Sequence, residues 1–209
     1  MDLKAVLFDM DGVLVDAKKW HFSALNKALE IFGFSISHNE HLNKYDGLPT
    51  LKKLEMLSSD KCLPYQLHDY INELKQKYTT DIVNMQCRPR FCHEYALSKL
   101  KSEGLLLGVC SNSIKHTIEL MMEKSNLRQY LDIIVSNEDV IRAKPDPEMY
   151  NYAISKLGLV AGECLIVEDN INGIKAAKAS GANLLVVENV NEVNYENINT
   201  CILKYYKKC

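Results

Sequence analysis

Three apolar runs in this chain of 209 residues end abruptly in side chains able to do chemistry. Ala5–Phe8 runs into Asp9 and, one residue on, Asp11, with Gly12 behind them. Leu105–Cys110 ends in Ser111-Asn112-Ser113, and Cys164–Val167 ends in Glu168-Asp169-Asn170. Between the last two, Lys144 stands before Pro145-Asp146-Pro147. Two carboxylates straddling a turn are poor core material, because unpaired buried charge is costly. Asp9, Asp11, Glu168 and Asp169 together bring up to four negative charges, whose repulsion raises their pKa values unless a cation joins them. Hard carboxylate oxygens with no Cys or His beside them suit Mg²⁺ better than zinc. Lys144 and the Ser111 hydroxyl add donors able to hold a phosphate. In such a site Asp9 can act as a nucleophile that forms an aspartyl-phosphate. Asp11 can serve as general acid to the leaving oxygen and then as base to the incoming one. Each group taken singly is ordinary: a turn, a helix cap, a surface lysine. The constellation carries the inference.

The elements that must position these groups alternate in type. Ala5–Phe8 is apolar throughout, as a strand buried on both faces of a parallel sheet is, and Asp9 then lies at the carboxyl end where open α/β sheets bind ligands. From Lys18 to about Phe34, Trp20, Leu25, Ala28, Leu29 and Phe32 recur at helical spacing, with Gly33 placed to close the helix. Leu51, Leu54, Met56 and Leu57 predict a second helix opened by Pro49-Thr50, and Leu67, Tyr70, Ile71, Leu74 and Tyr78 a third. No strand-like run interrupts residues 16–85. The second half predicts helices at 91–101, 114–124, 148–157 and 171–180, with strands at 105–110, 133–135, 164–167 and 184–187. Strands and helices alternating in this way imply right-handed βαβ units around a parallel sheet. The expected architecture is α/β: a Rossmann-like core of residues 1–15 and 88–209, with an all-helical cap inserted at 16–87.

Composition excludes several classes. A formal net charge of -2 and a pI of about 6.3 argue against an electrostatic nucleic-acid binder. No stretch approaches the ~20 apolar residues of a membrane span. The seven cysteines include no C-x-x-C pair and read as buried, reduced thiols, the usage of a cytoplasmic protein. The end from Lys204 to Cys209 reads as a solvated terminus. A calcium loop starting at Asp9 would need glycine at Leu14 and glutamate at Trp20. His93-Glu94 begins a zinc-protease pattern, but Leu97 stands where the second histidine belongs, so His93 reads as an ordinary helix residue.

Asp9-Met10-Asp11-Gly12-Val13-Leu14-Val15-Asp16, Ser111-Asn112, Lys144-Pro145-Asp146-Pro147 and Glu168-Asp169-Asn170 resemble, in order, the four motifs of the haloacid dehalogenase superfamily. The resemblance implies Mg²⁺-dependent phosphoryl transfer through Asp9. It implies a metal held by Asp9, the Asp11 main-chain carbonyl and Asp169, with Glu168 contributing directly or through water. It assigns phosphate binding to Ser111 and Lys144, with Asn112 beside them, and makes the helical insertion a cap that closes over substrate. Asp11 sets the chain apart from the dehalogenases proper, whose halide leaving group needs no proton.

Within the superfamily the chain is most similar to β-phosphoglucomutase and its phosphatase relatives, through Asp16, Trp20-His21-Phe22 and Gly47-Leu48-Pro49-Thr50. The resemblance implies that His21 couples cap closure to Asp11, and that Gly47 and Thr50 border the substrate. Thr50 stands where the mutases carry an arginine that grips a second phosphate, and Ala17 replaces the usual hydroxyl residue. Lys52, Lys53 and Lys77 are candidate substitutes that otherwise read as solvated helix lysines. These departures favour a phosphatase acting on a small phosphorylated metabolite, such as a sugar phosphate, over a mutase; the resemblance also implies a monomer. From a different class, a non-catalytic phosphometabolite-binding protein is disfavoured by the intact acids.

Overall fold

A computed structural model describes residues 2–206. Five parallel strands form one sheet in the order β3-β2-β1-β4-β5: β1 (Ala5–Phe8), β2 (Leu106–Cys110), β3 (Ile133–Val135), β4 (Cys164–Glu168) and β5 (Asn183–Val186). The order reverses at β1, so the cleft above its carboxyl end is the switch point where open α/β sheets bind ligands. Phe8 pairs with Val109 and with Val167, so the three strands run out together and present their next residues along one edge.

The side-chain alternation of the strands sorts the core into two layers. Val6, Phe8, Leu107, Val109, Leu165 and Val167 pack beneath α5 (Phe91–Ser102), α6 (Lys115–Lys124) and α9 (Tyr195–Tyr206). Ala5, Leu7, Cys164 and Ile166 pack against α7 (Glu148–Lys156) and α8 (Ile171–Ser180). Helices therefore cover both faces, as a continuously apolar parallel strand requires.

Between β1 and β2 the described chain is helical, as expected: α1 (Lys18–Glu30), α2 (His38–Glu40), a π-helical turn at His41–Tyr45, α3 (Thr50–Lys61) and α4 (His68–Gln86). These helices close around their own apolar cluster, which includes Leu25, Leu29, Tyr45, Leu54, Leu57, Leu63 and Ile71. Ala17, Val83 and Cys87, at the two ends of the segment, join the cluster beneath the sheet.

Four expectations need correction. Helix α9 is absent from the sequence reading. Among its described side chains the buried ones are Ile198 and Cys201; Lys204 is exposed, as a solvated end implies, but lies on that helix, and residues 207–209 lie outside the described residues. The six described cysteines are free thiols, but Cys62 is exposed rather than buried. His93 is a core residue, its two ring nitrogens 3.1 and 2.8 Å from the carbonyls of Leu14 and Val190. Lys53 is buried, whereas Lys52 and Lys77 are exposed.

Candidate active site

Asp9 follows the last residue of β1, and its amide donates to the Val167 carbonyl at 2.9 Å, continuing the ladder to β4. That bond fixes the acid between the two neighbouring strands. Lys144 reaches across to it from the loop before α7, with its Nζ buried at 2.7 Å from Asp9 Oδ1, Glu168 Oε1 and the Cys110 carbonyl alike. Three acceptors compensate an ammonium that would otherwise cost several kcal/mol to bury. Desolvation works against the lysine, yet Asp9 and Glu168 hold its pKa above the usual range, so it stays charged.

Glu168 and Asp169 are neighbours with different tasks. Glu168 extends the Cys164–Ile166 face of β4 and lies fully buried beside Tyr150. Its Oε1 accepts from Lys144 and from the Tyr150 hydroxyl at 2.6 Å; its Oε2 accepts from the backbone amides of Asp169 and Asn170 at 3.1 and 3.4 Å. A carboxylate has about four lone-pair positions, so these donors occupy the residue that the motif reading counts among the metal acids. Asp169 is different. Its Oδ2 lies 2.6 Å from Lys18 Nζ, while Oδ1 is buried with no hydrogen-bond partner. Burial pushes its carboxyl up to about 6 despite Lys18.

Asp9, Glu168 and Asp169 offer oxygens that lie within 4.8 Å of one another. Burial, partly opposed by Lys144, raises the Asp9 pKa well above the usual carboxylate range, and the neighbouring acids raise it further. An all-oxygen cluster with excess negative charge and an unpartnered buried carboxylate oxygen is the donor set a hard divalent cation fits. Two glycines make room for it. At Gly12 (φ +98°) a Cβ would stand 2.0 Å from Asp169 Oδ2, and at Gly173 one would stand 1.8 Å from Glu168 Oε1.

The side chain of Asp11 engages the other wall. Its Oδ1 pairs with His21 Nε2 at 3.0 Å, its Oδ2 accepts from the Ser113 hydroxyl at 3.3 Å, and Lys75 Nζ sits 3.3 Å from His21 Nδ1. Burial alone would raise the Asp11 pKa, but His21, Lys75 and Ser113 together bring it below the usual range. Burial lowers the pKa of His21 although Asp11 opposes it.

These walls enclose a cavity of about 360 Å³, large enough for a small metabolite, with Asp9, Asp11, Ser111, Lys144, Lys53 and Lys75 in its lining. Every site residue read from the sequence lies in or beside it. Ser111 is buried, its Oγ accepting from the Ser113 amide at 3.2 Å. Asn112 acts as a strut: its side chain bonds both backbone groups of Lys144, and its Nδ2 also donates to the Gly47 carbonyl at 2.8 Å. Gly47 (φ +71°) lies so close to Asn170 that a Cβ would overlap that side chain. Thr50 opens α3 in the cavity wall. The sequence reading missed Lys18, Asp46, Lys75 and Tyr150, and gave Ser113 no role of its own. Only Lys75 leaves a signal, as the second member of the series Ile71, Lys75, Thr79, Val83, spaced by four and all buried on α4.

Residues 6–187 match the model of the haloacid dehalogenase-like hydrolases. A phosphorylated carbohydrates phosphatase of Thermotoga maritima is 26% identical over 195 residues, covering 91% of this chain and 88% of that protein. A phosphoglycolate phosphatase of Aquifex aeolicus is 30% identical over 179 residues, covering 86% and 82%. The crystal structure of a β-phosphoglucomutase from Clostridium difficile superposes with a TM-score of 0.84 at 21% identity, over 97% of this chain and 98% of that one, and so shares the fold. The chain belongs to the haloacid dehalogenase-like hydrolases, and its relatives place it with that family's phosphoric monoester hydrolases.

Proposed function

We propose that the protein is a Mg²⁺-dependent phosphatase of a small phosphorylated metabolite, with Asp9 as nucleophile and the helices of 16–87 as a cap over the site. The observation that carries this reading is the retained Asp11 carboxylate, hydrogen-bonded to His21 of α1 across the cavity from the Asp9–Lys144 pair. An alkoxide leaving group needs a proton, and a side chain held at this place can supply it.

Lys144 engages Asp9 Oδ1, while Oδ2 has no hydrogen-bond partner among the described residues and is the oxygen free to attack phosphorus. Attack breaks the ester P–O bond and leaves a phosphoryl group on Asp9. Lys144 and the Ser111 hydroxyl are placed to neutralise the charge on the transferring oxygens. Asp11 is ionised at rest; an arriving phosphate dianion raises its pKa, so it takes up a proton and can hand it to the leaving oxygen. It is then a carboxylate again, ready to accept a proton from the water that hydrolyses the aspartyl-phosphate. Asp9, Asp169 and the Asp11 carbonyl would hold Mg²⁺, which supplies charge neutralisation at the phosphate. Glu168 holds Lys144 and the loop of Asp169 in place.

The test is turnover of an aryl phosphate with Mg²⁺. Asp9→Asn should fall below detection while remaining folded; unchanged turnover would overturn the nucleophile. Thr50 in place of the mutase arginine favours release of inorganic phosphate over transfer back to a sugar. Interconversion of hexose 1- and 6-phosphates primed by a bisphosphate would instead make the protein a mutase.

A further inference from the structure

Two lysines neutralise acids at the sheet edge, and only one of them is fixed there. Lys144 is buried and donates to Asp9, Glu168 and the Cys110 carbonyl. Lys18, the first residue of α1, has 32% of its side chain exposed, and among the described residues its ammonium has one partner, Asp169 Oδ2 at 2.6 Å. That contact is one of charge without the direction of a hydrogen bond: neither oxygen of Asp169 has a hydrogen-bond partner, although the carboxylate is 1% exposed. The pair lies directly over Gly12. A Cβ at that glycine would stand 2.0 Å from Asp169 Oδ2 and 2.5 Å from Lys18 Cε, so the lysine stem crosses the peptide that follows Asp11. The phosphatase reading assigns the carbonyl of that peptide, with Asp9 and Asp169, to Mg²⁺. A cation carried on the helical segment therefore neutralises the same acid that the metal would use.

Resting on the metal site of the phosphatase reading, we propose that Lys18 is a displaceable internal counter-cation. Mg²⁺ binds Asp169 at the expense of the Lys18 pair, so this lysine lowers the metal affinity of the site and couples its filling to the first turn of α1. Both cations need one buried carboxylate. With the ammonium kept on Oδ2, a metal on Oδ1 would bring three positive charges to a single acid, and salt screens their repulsion little where water is excluded. Lys144 adds a further charge nearby and is held in place by three acceptors. Lys18 is the one that can yield, because its side chain already reaches water and Asp169 is the sole tie of its ammonium. Asp46 gives it a new neighbour: it lines the same cavity, and its charge, like that of Asp9, already acts on Lys18. The exchange moves one positive charge from the sheet edge toward the loop before α3. In this role Lys18 acts through Asp169 rather than on the reacting atoms.

The experiment is calorimetry of Mg²⁺ binding, with no phosphate present, on wild type and on Lys18→Met, which keeps an unbranched side chain and removes the charge. Lys18→Met should bind Mg²⁺ at least about tenfold more tightly, as expected once a cation in contact with the ligand carboxylate is gone. Lys18→Arg keeps the charge and should stay within about threefold of wild type. Thermal melting reads the same exchange from the other side. In chelator Lys18→Met should melt below wild type, since Asp169 has lost its counter-charge, and saturating Mg²⁺ should close the gap. Wild type supplies a test that needs no substitution. Acetic anhydride labelling, read by mass spectrometry, should modify Lys18 faster in saturating Mg²⁺ than in chelator, while labelling of the exposed Lys77 stays unchanged. Unchanged or weaker Mg²⁺ binding by Lys18→Met, or Lys18 labelling that Mg²⁺ does not speed, would overturn the exchange. Turnover of an aryl phosphate is measured separately. Turnover without the affinity shift refutes the exchange alone, and the shift without turnover refutes the phosphatase reading alone.

Discussion

Glu168 and Asp169 are adjacent acids at the end of β4, and exchanging each for its amide should have opposite effects on stability. In Glu168→Gln, one oxygen and one NH₂ replace two oxygens that together accept from Lys144, Tyr150 and two backbone amides. If the amide oxygen keeps Lys144 and Tyr150, the NH₂ group faces the amides of Asp169 and Asn170, and two buried donors lose their acceptor. Each unmet donor costs about 1–3 kcal/mol, and Lys144 keeps only one of its two carboxylates. The sum, about 3–5 kcal/mol, matches the usual cost of breaking a buried ion pair. At about 2–4 °C per kcal/mol for a domain of this size, the melting temperature should drop by roughly 6–20 °C. Asp169→Asn removes a carboxylate whose charge the fold already disfavours, with its pKa pushed up to about 6 and Oδ1 unpartnered. That variant should melt at or above wild type. The assay is thermal unfolding at pH 7, first with a chelator and then with Mg²⁺. At 100 times its dissociation constant, Mg²⁺ adds about 2.7 kcal/mol to wild type, and Asp169→Asn should lose that increment. A Glu168→Gln melting temperature within about 2 °C of wild type, or an Asp169→Asn variant destabilised as far as Glu168→Gln, would refute this division of labour.

Two further outcomes follow from the helical layer. His21→Asn should lower kcat for phosphate release about 10²-fold while moving KM far less, because it unsettles the Asp11 proton rather than the phosphate; steady-state kinetics across pH checks this, and a change confined to KM would argue against it. His41 is buried with neither ring nitrogen hydrogen-bonded, and desolvation, aided by Lys53, takes it down to about 4. Because its folded pKa lies below the unfolded value, its stabilising share is present above about pH 6.5 and is lost as pH falls toward 4, at most about 3 kcal/mol. Urea unfolding of wild type and His41→Phe from pH 7 to pH 4 should show the wild-type curve falling more steeply; parallel curves would exclude His41 as the cause.

The parts of the structure legible in the sequence are those fixed by local alternation. A strand buried on both faces must be apolar throughout, so β1, β2 and β4 and the polar residues ending them can be read directly, and the shared register of Phe8, Val109 and Val167 brings those ends together. Helix α9 is harder, because its buried face is carried by Ile198 and Cys201 among polar residues. The roles of Glu168 and Asp169 are harder still. Strand alternation turns Glu168 toward Tyr150, but only the approach of α7 and of the Lys144 loop makes that side the one full of donors. Lys53 and Lys52 illustrate the limit. One of two adjacent lysines at the start of α3 is buried and the other pairs with Glu55 at the surface, and the choice depends on where α1 and α4 lie.

That non-local choice sets the electrostatics of the whole cavity. Its floor holds Asp9, Glu168 and Asp169 against Lys144 and Lys18, so the sheet edge by itself repels a phosphate dianion. Its roof holds Lys53 and Lys75, with no carboxylate in ion-pair contact among the described residues. A dianion entering this space is pushed from one wall and drawn to the other until a cation on Asp169 and Asp9 reverses the sign of the floor. The order of events then has a physical basis. On the proposed mechanism the metal site at the sheet edge would fill without a phosphate, whereas the phosphate would gain its full binding energy only with the floor neutralised and α1, α3 and α4 over it. On the same mechanism Asp11, held by His21, would take up its proton when the dianion beside it raises its pKa. On the proposed mechanism substrate binding, closure and arming of the acid would thus be one electrostatic event, with the residues on the helices deciding which substrates bring it about.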